Sequence, residues 1–216
     1  MGLIGSLYRS SVGKKSIMAA SGLLLSLFIL THMLGNSLTF AGRDAFNSYA
    51  EKLHSVGGLI FIVEFVLLVL FLIHIITGII LYIENLQARP SRYSVNSSEG
   101  GRSIGSRTMP YTGAIILIFI IVHLLNFHFT DKNIPVADHV RELLSRPGLA
   151  TFYILSFIAL ALHLSHGAWS LFQSIGFNHE KYNQFLLKGA LAFSILVGIV
   201  FILIPVLALI SRNFLL

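Results

Sequence analysis

The chain has 216 residues, of which 55% are hydrophobic and only 11% are charged, against roughly 25% charged residues in an ordinary soluble domain. With a mean hydropathy of +0.82, this composition excludes a soluble domain and a disordered chain and indicates an integral membrane protein. The absence of cysteine excludes disulfides, iron–sulfur ligation, thiolate zinc sites and covalent haem attachment. The net charge of +6 comes without a long basic run, so we interpret the basic residues as topology signals rather than as a nucleic-acid surface.

Five apolar stretches are long enough to cross a bilayer, which takes about 20 residues each. We predict transmembrane helices at about 16–38, 58–83, 111–129, 149–174 and 186–210. The predicted fold is therefore all-α, with five membrane-spanning helices that form a single domain over residues 1–216.

The segments between these spans differ in character. Residues 84–110 are rich in Ser, Gly and Arg and are predicted to form a polar loop. In Pro135–Ser145 the apolar residues fall on one helical face, which predicts a short interfacial helix, and we expect Phe40–His54 to behave in the same way. Basic residues are more numerous on the side of the N-terminus, so we predict a cytoplasmic N-terminus and an external C-terminus.

Histidine is the most notable polar residue inside the spans. Ionisable residues within membrane helices are costly and are functional by default. His32, His74, His123 and His163 each lie in the middle of one of four successive spans, and His166 follows one turn after His163. One such residue is equally well explained as a structural histidine, but one in each of four successive spans is not.

A short pattern recurs between the two halves of this four-span region. The first and third spans each carry a hydroxyl residue followed by glycine, ten residues before the histidine. The second and fourth spans each carry His-x-x-x-Gly, which favours His163 over His166 as the functional residue. These features indicate an internal repeat. They comprise Ser21-Gly22 with His32, Thr112-Gly113 with His123, His74 with Gly78, and His163 with Gly167.

Depth in the membrane pairs the four histidines. His32 and His123 each lie about six residues, or roughly 9 Å, from the predicted outer end of their helices, whereas His74 and His163 lie nearer the cytoplasmic end. Facing imidazoles at equal depth in an apolar slot are what a bis-histidine haem b requires. We therefore predict two haem b groups as cofactors. Glycines give a porphyrin room to approach the helices, so we place these beside the cofactors: Gly22, Gly78, Gly113 and Gly167.

Several polar residues near the span ends have two interpretations. Glu64 either extends to the interface or accepts protons from a quinol beside the outer haem. His54 and His128, near the same surface, fit either solvated positions or the same quinone site. A zinc or di-iron site would need three or four ligands at one depth, and a proton relay would need more buried acids than Glu64 alone. On the inner side, three basic residues either hold haem propionates or anchor the chain at the headgroups: Lys14, Lys15 and Arg107.

The combined pattern resembles the di-haem cytochrome b subunit, of the b558 type, of the succinate:quinone oxidoreductases, which are succinate dehydrogenase and menaquinol:fumarate reductase. The resemblance runs over nearly the whole chain. It rests on Phe28-Ile-Leu-Thr-His32, Ala45-Phe-Asn-Ser48, Leu72-Ile-His74-Ile-Ile-Thr-Gly78, Ile121-Val-His123, Phe152-Tyr-Ile, and Leu162-His163-Leu-Ser165-His166-Gly167-Ala-Trp169-Ser170.

This resemblance implies a bundle of the first four helices around two haems b, with axial histidines at the positions of His32, His74, His123 and His163, and a fifth span outside the bundle. It implies electron transfer between an iron–sulfur subunit and menaquinone. The dicarboxylate chemistry, the FAD and the iron–sulfur clusters would belong to a flavoprotein and an iron–sulfur partner, docked at the cytoplasmic loop.

The same resemblance leads us to expect the bacterial inner membrane, and it is compatible with a dimer of heterotrimers. One position departs from the pattern. Ala161 stands where some fumarate reductases of the family have a glutamate that is linked to proton compensation, which puts that proton route in doubt.

Two alternative functions remain open from the sequence. A cytochrome b subunit of a nitrate reductase, hydrogenase or formate dehydrogenase would also be quinone-linked, but such subunits tend to concentrate their haem ligands on fewer helices. A haem-free transporter or channel would line a polar pathway with its histidines, whereas these spans carry few other polar residues.

Overall fold

The computed structural model describes residues 8–88, 104–130, 134–177, 179–211 and 214–215, and within these ranges the regular secondary structure is entirely helical. Five helices are long and apolar enough to cross a membrane, which confirms the predicted all-α, five-span architecture. The helices are α1 (Ser11–Ser37, continued by a 3-10 turn at Leu38–Ala41), α2 (Arg43–Ser55), α3 (Gly58–Gln87), α4 (Ile104–Phe127), α5 (Val136–Leu144), α6 (Pro147–Ser174) and α7 (Glu180–Ile210).

Every spanning helix begins earlier or ends later than predicted, although α4 ends at Phe127 rather than at 129. α3 continues to Gln87, α4 is already helical at Ile104, and α7 begins at Glu180 rather than at 186. The predicted loop 84–110 is therefore wrong at both ends, and its central part, 89–103, lies outside the described residues. The physical reason is that hydropathy marks only the part of a helix in the hydrocarbon core of about 30 Å, whereas the polar headgroup regions add at least 10 Å in which a helix can continue.

Local capping groups explain where several helices begin. The Ser10 hydroxyl accepts a hydrogen bond from the backbone N–H of Gly13 at 2.9 Å, which is a standard N-cap for α1. Pro147 lies in the first turn of α6, where its missing N–H is not needed. The His179 side chain accepts from the N–H of Lys181 at 3.2 Å and caps α7.

α6 is the central helix of the bundle. It packs against α1, α4 and α7, whereas α3 packs chiefly against α1. Aromatic rings fill the contact between α6 and α7, where Phe157 and Phe201 are stacked with centroids 5.1 Å apart. Nearby, a Cβ added at Gly198 of α7 would lie 3.0 Å from the Cβ of Ala161. Ala161 therefore faces the fifth span, where small residues allow close helix packing.

The two short helices predicted between the spans are present as α2 and α5. They lie at the ends of the spanning helices opposite to the start of α1, and they are joined to each other. Arg43 donates two hydrogen bonds to the Asp138 carboxylate, at 2.8 and 2.7 Å. The backbone N–H of Ala137 donates to the side-chain oxygen of Asn47 at 2.9 Å. Together α2 and α5 cover one end of the bundle.

Candidate functional site

A large cavity lies between α1 and α3 on one side and α4 and α6 on the other, although α1 and α6 also pack against each other directly. Its volume is about 2440 Å³, whereas pockets for a single small molecule usually measure about 300–1,000 Å³. The lining is mostly apolar and continues towards both ends of the bundle. It includes all the histidines and glycines that the sequence pattern placed beside a cofactor: His32, His74, His123, His163, Gly22, Gly78, Gly113 and Gly167.

The four histidines meet across this cavity in two pairs. The ring centroids of His32 and His123, here called the outer pair, are 5.9 Å apart. Those of His74 and His163, the inner pair, are 6.3 Å apart. A metal ion about 2 Å from one nitrogen of each imidazole separates two such rings by about 6 Å. Both pairs therefore have the separation that two axial ligands of one iron require.

The grouping of ligands also distinguishes between kinds of metal site. In the part of the chain that the structure describes, no three His, Cys, Asp or Glu side chains converge as a metal-binding group. Structural zinc and di-iron sites need three or four protein ligands. Two separate pairs across an apolar slot instead fit a flat macrocycle that supplies its own equatorial ligands.

Hydroxyl groups contact both imidazoles of the inner pair. Ser21 on α1 lies 3.2 Å from Nδ1 of His74 on α3, measured from its Oγ. Thr112 on α4 has the same relationship with His163 on α6, with Oγ1 3.2 Å from Nδ1. Both hydroxyl residues are buried. The sequence pattern identified them as marks of a repeat, and the structure shows that each contacts a histidine of the partner helix.

The predicted glycines have different surroundings. A Cβ added at Gly22 would lie 3.4 Å from Cε1 of His74, and one at Gly113 would lie 3.6 Å from Cε1 of His163, so both pack against the inner imidazoles. A Cβ added at Gly167 would have no neighbour within 4 Å in the described ranges of the chain. Gly78 instead leaves room for a side chain of α1, because an added Cβ would lie 3.0 Å from Cε of Met18.

The outer pair has an aromatic environment. The ring of His32 stacks on Phe28 with centroids 5.2 Å apart, and that of His123 lies 5.4 Å from Phe119 and 6.2 Å from Tyr153. Nδ1 of His123 is buried without a hydrogen-bond partner among the described residues. The two histidine pairs therefore differ in polarity, since only the inner pair is contacted by hydroxyl groups from both sides.

His166, the alternative to His163, occupies a different position. Its ring lies 5.7 Å from that of Trp169, and its Nδ1 is buried without a partner within the described ranges. Of the basic residues predicted near the inner end, Lys15 and Arg107 line the cavity. Lys14 is buried and forms an ion pair with Glu84 of α3.

The three residues of the predicted quinone site all line the outer part of the cavity. Glu64 of α3 and His128, just after α4, approach each other to 3.5 Å between Oε1 and Nδ1. His54 of α2 lines the same space, and its Nδ1 contacts the carbonyl of Ala50 at 2.7 Å. The structure therefore brings a carboxylate and an imidazole together beside the outer pair.

Comparison with known proteins supports the resemblance seen in the sequence. The chain is 24% identical, over 148 residues, to the succinate dehydrogenase cytochrome b558 subunit of Bacillus subtilis (strain 168), and the matched region covers 68% of this chain and 70% of that protein. This relative confirms the resemblance to b558-type subunits. No protein-family model matches the chain. No solved structure matches it.

Proposed function

We propose that this protein is the membrane anchor and two-haem electron carrier of a succinate dehydrogenase or fumarate reductase complex. The observation that carries the proposal is the presence of two facing imidazole pairs, 5.9 and 6.3 Å apart, in one apolar cavity. The similarity to a succinate dehydrogenase cytochrome b558 subunit supports the same function.

In this proposal, His32 and His123 hold one haem b, and His74 and His163 hold the other. Haem b supplies a one-electron carrier whose potential depends on its axial ligands and their surroundings. The protein keeps each imidazole neutral by burying it between apolar helices. At the inner end, Lys15 and Arg107 offer positive charges to the propionate carboxylates.

The outer end of the cavity is the proposed site for menaquinone, the substrate. Oxidation of a quinol releases two protons together with two electrons. Glu64 and His128 offer a carboxylate and an imidazole to which these protons can pass, and His54 lies on the same wall. A haem held by the outer pair would be the nearer electron carrier to this site, because His123 is on the helix that ends beside His128.

The proposed complex contains a flavoprotein and an iron–sulfur protein, which carry FAD and iron–sulfur clusters, and the dicarboxylate reaction takes place there. These partners dock on the cytoplasmic side, where α3 ends and α4 begins, and the N-terminus lies on that side and the C-terminus outside. The proposed location is the inner membrane of a bacterium.

Difference spectroscopy tests the assignment of the ligands. The purified protein should show a reducible b-type spectrum with two haems per chain. Replacing either histidine of a pair by alanine should remove one haem, and the two variants of a pair should remove the same one. His179→Ala, which changes a helix cap far from the cavity, is the matched control and should retain both. A protein without a b-type spectrum, or His74→Ala and His163→Ala variants with both haems intact, would overturn the proposal.

A further inference from the structure

We propose that Ser21 and Thr112 are positioning residues that fix the tautomer of the inner histidine pair. Each hydroxyl oxygen accepts a hydrogen bond from Nδ1–H of one imidazole, so that the lone pair on Nε2 is available to a metal in the cavity. This inference rests on the proposed function, in which His74 and His163 hold a haem.

The hydrogen bonds of the two hydroxyl groups set the direction of these contacts. Ser21 Oγ is 2.9 Å from the carbonyl oxygen of Ile17, one turn earlier in α1. Thr112 Oγ1 is 3.0 Å from the carbonyl oxygen of Thr108 in α4. A hydroxyl has a single hydrogen. When this hydrogen is donated to the helix carbonyl, the oxygen can only accept from the histidine, and Nδ1 must carry the proton.

The tautomer decides whether the imidazole can bind a metal. In a neutral imidazole one nitrogen is a donor and the other an acceptor. If Ser21 instead donated its hydrogen to Nδ1 of His74, the proton of that ring would lie on Nε2, which then could not coordinate. Partners of this kind fix the ring orientation of metal-binding histidines and raise their basicity as ligands.

The arrangement occurs twice with the same geometry, which argues against a chance contact. Both contacts measure 3.2 Å, and both run from the first helix of a pair to the histidine of the second. In both, the following glycine leaves space along the ring edge at Cε1. The outer pair is different, because His123 Nδ1 has no partner in the described part of the chain. The effect should therefore be confined to one of the two haems.

Loss of an acceptor makes the imidazole a weaker electron donor to iron, which stabilises the reduced state. In Ser21→Ala or Thr112→Ala we therefore expect the midpoint potential of one haem to rise, while that of the other stays unchanged. Replacement of such partners typically weakens metal binding by about 10–100-fold, so the occupancy of the same haem should fall. Redox titration and electron paramagnetic resonance of the full-length protein in its complex report both effects independently of enzymatic activity.

The chain itself suggests the rescue and control variants. Ser21→Thr and Thr112→Ser exchange the two hydroxyl residues and should restore the original potential. Ser156→Ala removes a buried serine of α6 that donates to the carbonyl of Phe152 at 2.8 Å without a histidine contact, and it should leave both potentials unchanged. If Ser21→Ala fails to assemble, Ser21→Cys keeps the side-chain shape but weakens the acceptor, and it should shift the potential in the same direction.

Three results would overturn the inference. These are unchanged potentials in the assembled Ser21→Ala and Thr112→Ala variants, equal shifts of both haems, or a Ser21→Thr variant that is shifted as far as the alanine variant. Each can be distinguished from failure of the proposed function, because in that case the unmodified protein itself would lack the two-haem spectrum.

Discussion

Glu64 and His128 form a polar contact in an otherwise apolar region of the cavity, and each remains partly accessible from it. We expect Glu64→Gln to slow the reduction of the haems by quinol, because an amide cannot accept the proton that leaves the substrate. Loss of a positioned acid–base group typically reduces a rate by about 10²–10⁴-fold. Stopped-flow absorbance of the haems in membranes supplied with a quinol measures this rate.

The control for this prediction is Glu142→Gln on α5, which changes an exposed carboxylate that pairs with Arg146. It should leave the rate of haem reduction unchanged. Both variants should keep the two-haem spectrum. A Glu64→Gln variant with the original rate would exclude Glu64 from proton transfer.

Substitution of His163 and His166 can show which of the two histidines is the haem ligand. Only the ring of His163 faces His74 and contacts Thr112, whereas that of His166 lies beside Trp169. His166→Leu should therefore retain two haems per chain, and His163→Leu should lose one. The haem-to-protein ratio after extraction decides the question, and the reverse pattern would transfer the ligand role to His166.

The sequence predicts a residue's position well when that position depends only on its depth in the membrane. The histidines met this condition, because 1.5 Å of rise per residue places each one in a span. Ser21 and Thr112 did not, because their contacts depend on how α1 is rotated against α3 and α4 against α6. Helices that are apolar all round carry no stripe from which this rotation could be read.

The first turn of α4 packs closely against α6 around Gly105. A Cβ added there would lie 2.9 Å from Oγ of Ser165 and 3.1 Å from the backbone oxygen of Leu162, which cannot move aside easily. Gly105→Val should push α4 away from α6 and destabilise the protein by about 1–3 kcal/mol, as overpacking usually does. Thermal unfolding in detergent, followed by circular dichroism, measures the change.

Gly189→Ala is the matched control for Gly105→Val. Among the described residues, nothing lies within 4 Å of a Cβ added at Gly189 of α7, and alanine stabilises a helix interior relative to glycine by roughly 0.5–1 kcal/mol. The control should therefore unfold at the same or a higher temperature. Equal destabilisation by both substitutions would mean that the contact at Gly105 does not limit the packing of α4 on α6.

The link between α2 and α5 should respond to pH only under acidic conditions. The hydrogen bond from Arg43 lowers the pKa of Asp138 below its ordinary value of 3.8, and the same contact raises the pKa of Arg43. Both groups are therefore charged at neutral pH. Because the pKa of Asp138 is lower in the folded state, its stabilising effect is present above pH 3.8 and is lost as the pH falls through the lowered pKa.

Spin labels can measure this link, because the chain has no cysteine to interfere with labelling. Labels at Glu51→Cys on α2 and Glu142→Cys on α5 should give a narrow distance distribution from about pH 8 to pH 5 that broadens only below about pH 4. Asp138→Asn should broaden it at every pH, modestly, since this ion pair is partly exposed to solvent. Broadening near neutral pH would instead mean that protonation of a histidine, and not of Asp138, loosens the contact between α2 and α5.

Helix ends were harder to predict than helix existence. The five spans follow from composition, whereas the glycine, serine and proline in residues 104–110 favour a loop, because these residue types are typical of turns. Tertiary contact explains the difference at Gly105, where the absence of a side chain allows α4 to pack on α6. Such a contact depends on the partner helix and leaves no periodic signal in the sequence of α4.

The bundle contains two helix pairs, α1–α3 and α4–α6, with the cavity between them and with α7 packed on α6. Protein interiors are normally packed without large voids, so side-chain packing alone does not account for a space of about 2440 Å³. Of the spanning helices, α3 relies most on an occupant of this cavity to hold it in the bundle. It packs chiefly on α1, and none of its most apolar window is buried by the part of the chain that the structure describes.

This architecture predicts which helix responds to haem removal. A group that binds only the folded state stabilises it by RT ln(1 + [L]/Kd), or about 4.1 kcal/mol at a concentration of 1,000 Kd. In protein produced without haem, backbone amide exchange should therefore increase most in α3, which would lose its connection across the cavity to α6 through His74 and His163. It should increase least in α6, which keeps its contacts with α1, α4 and α7. Hydrogen–deuterium exchange of both forms in the same detergent makes the comparison. Equal protection of α3 in the two forms would show that the α1–α3 contact alone holds this helix in place.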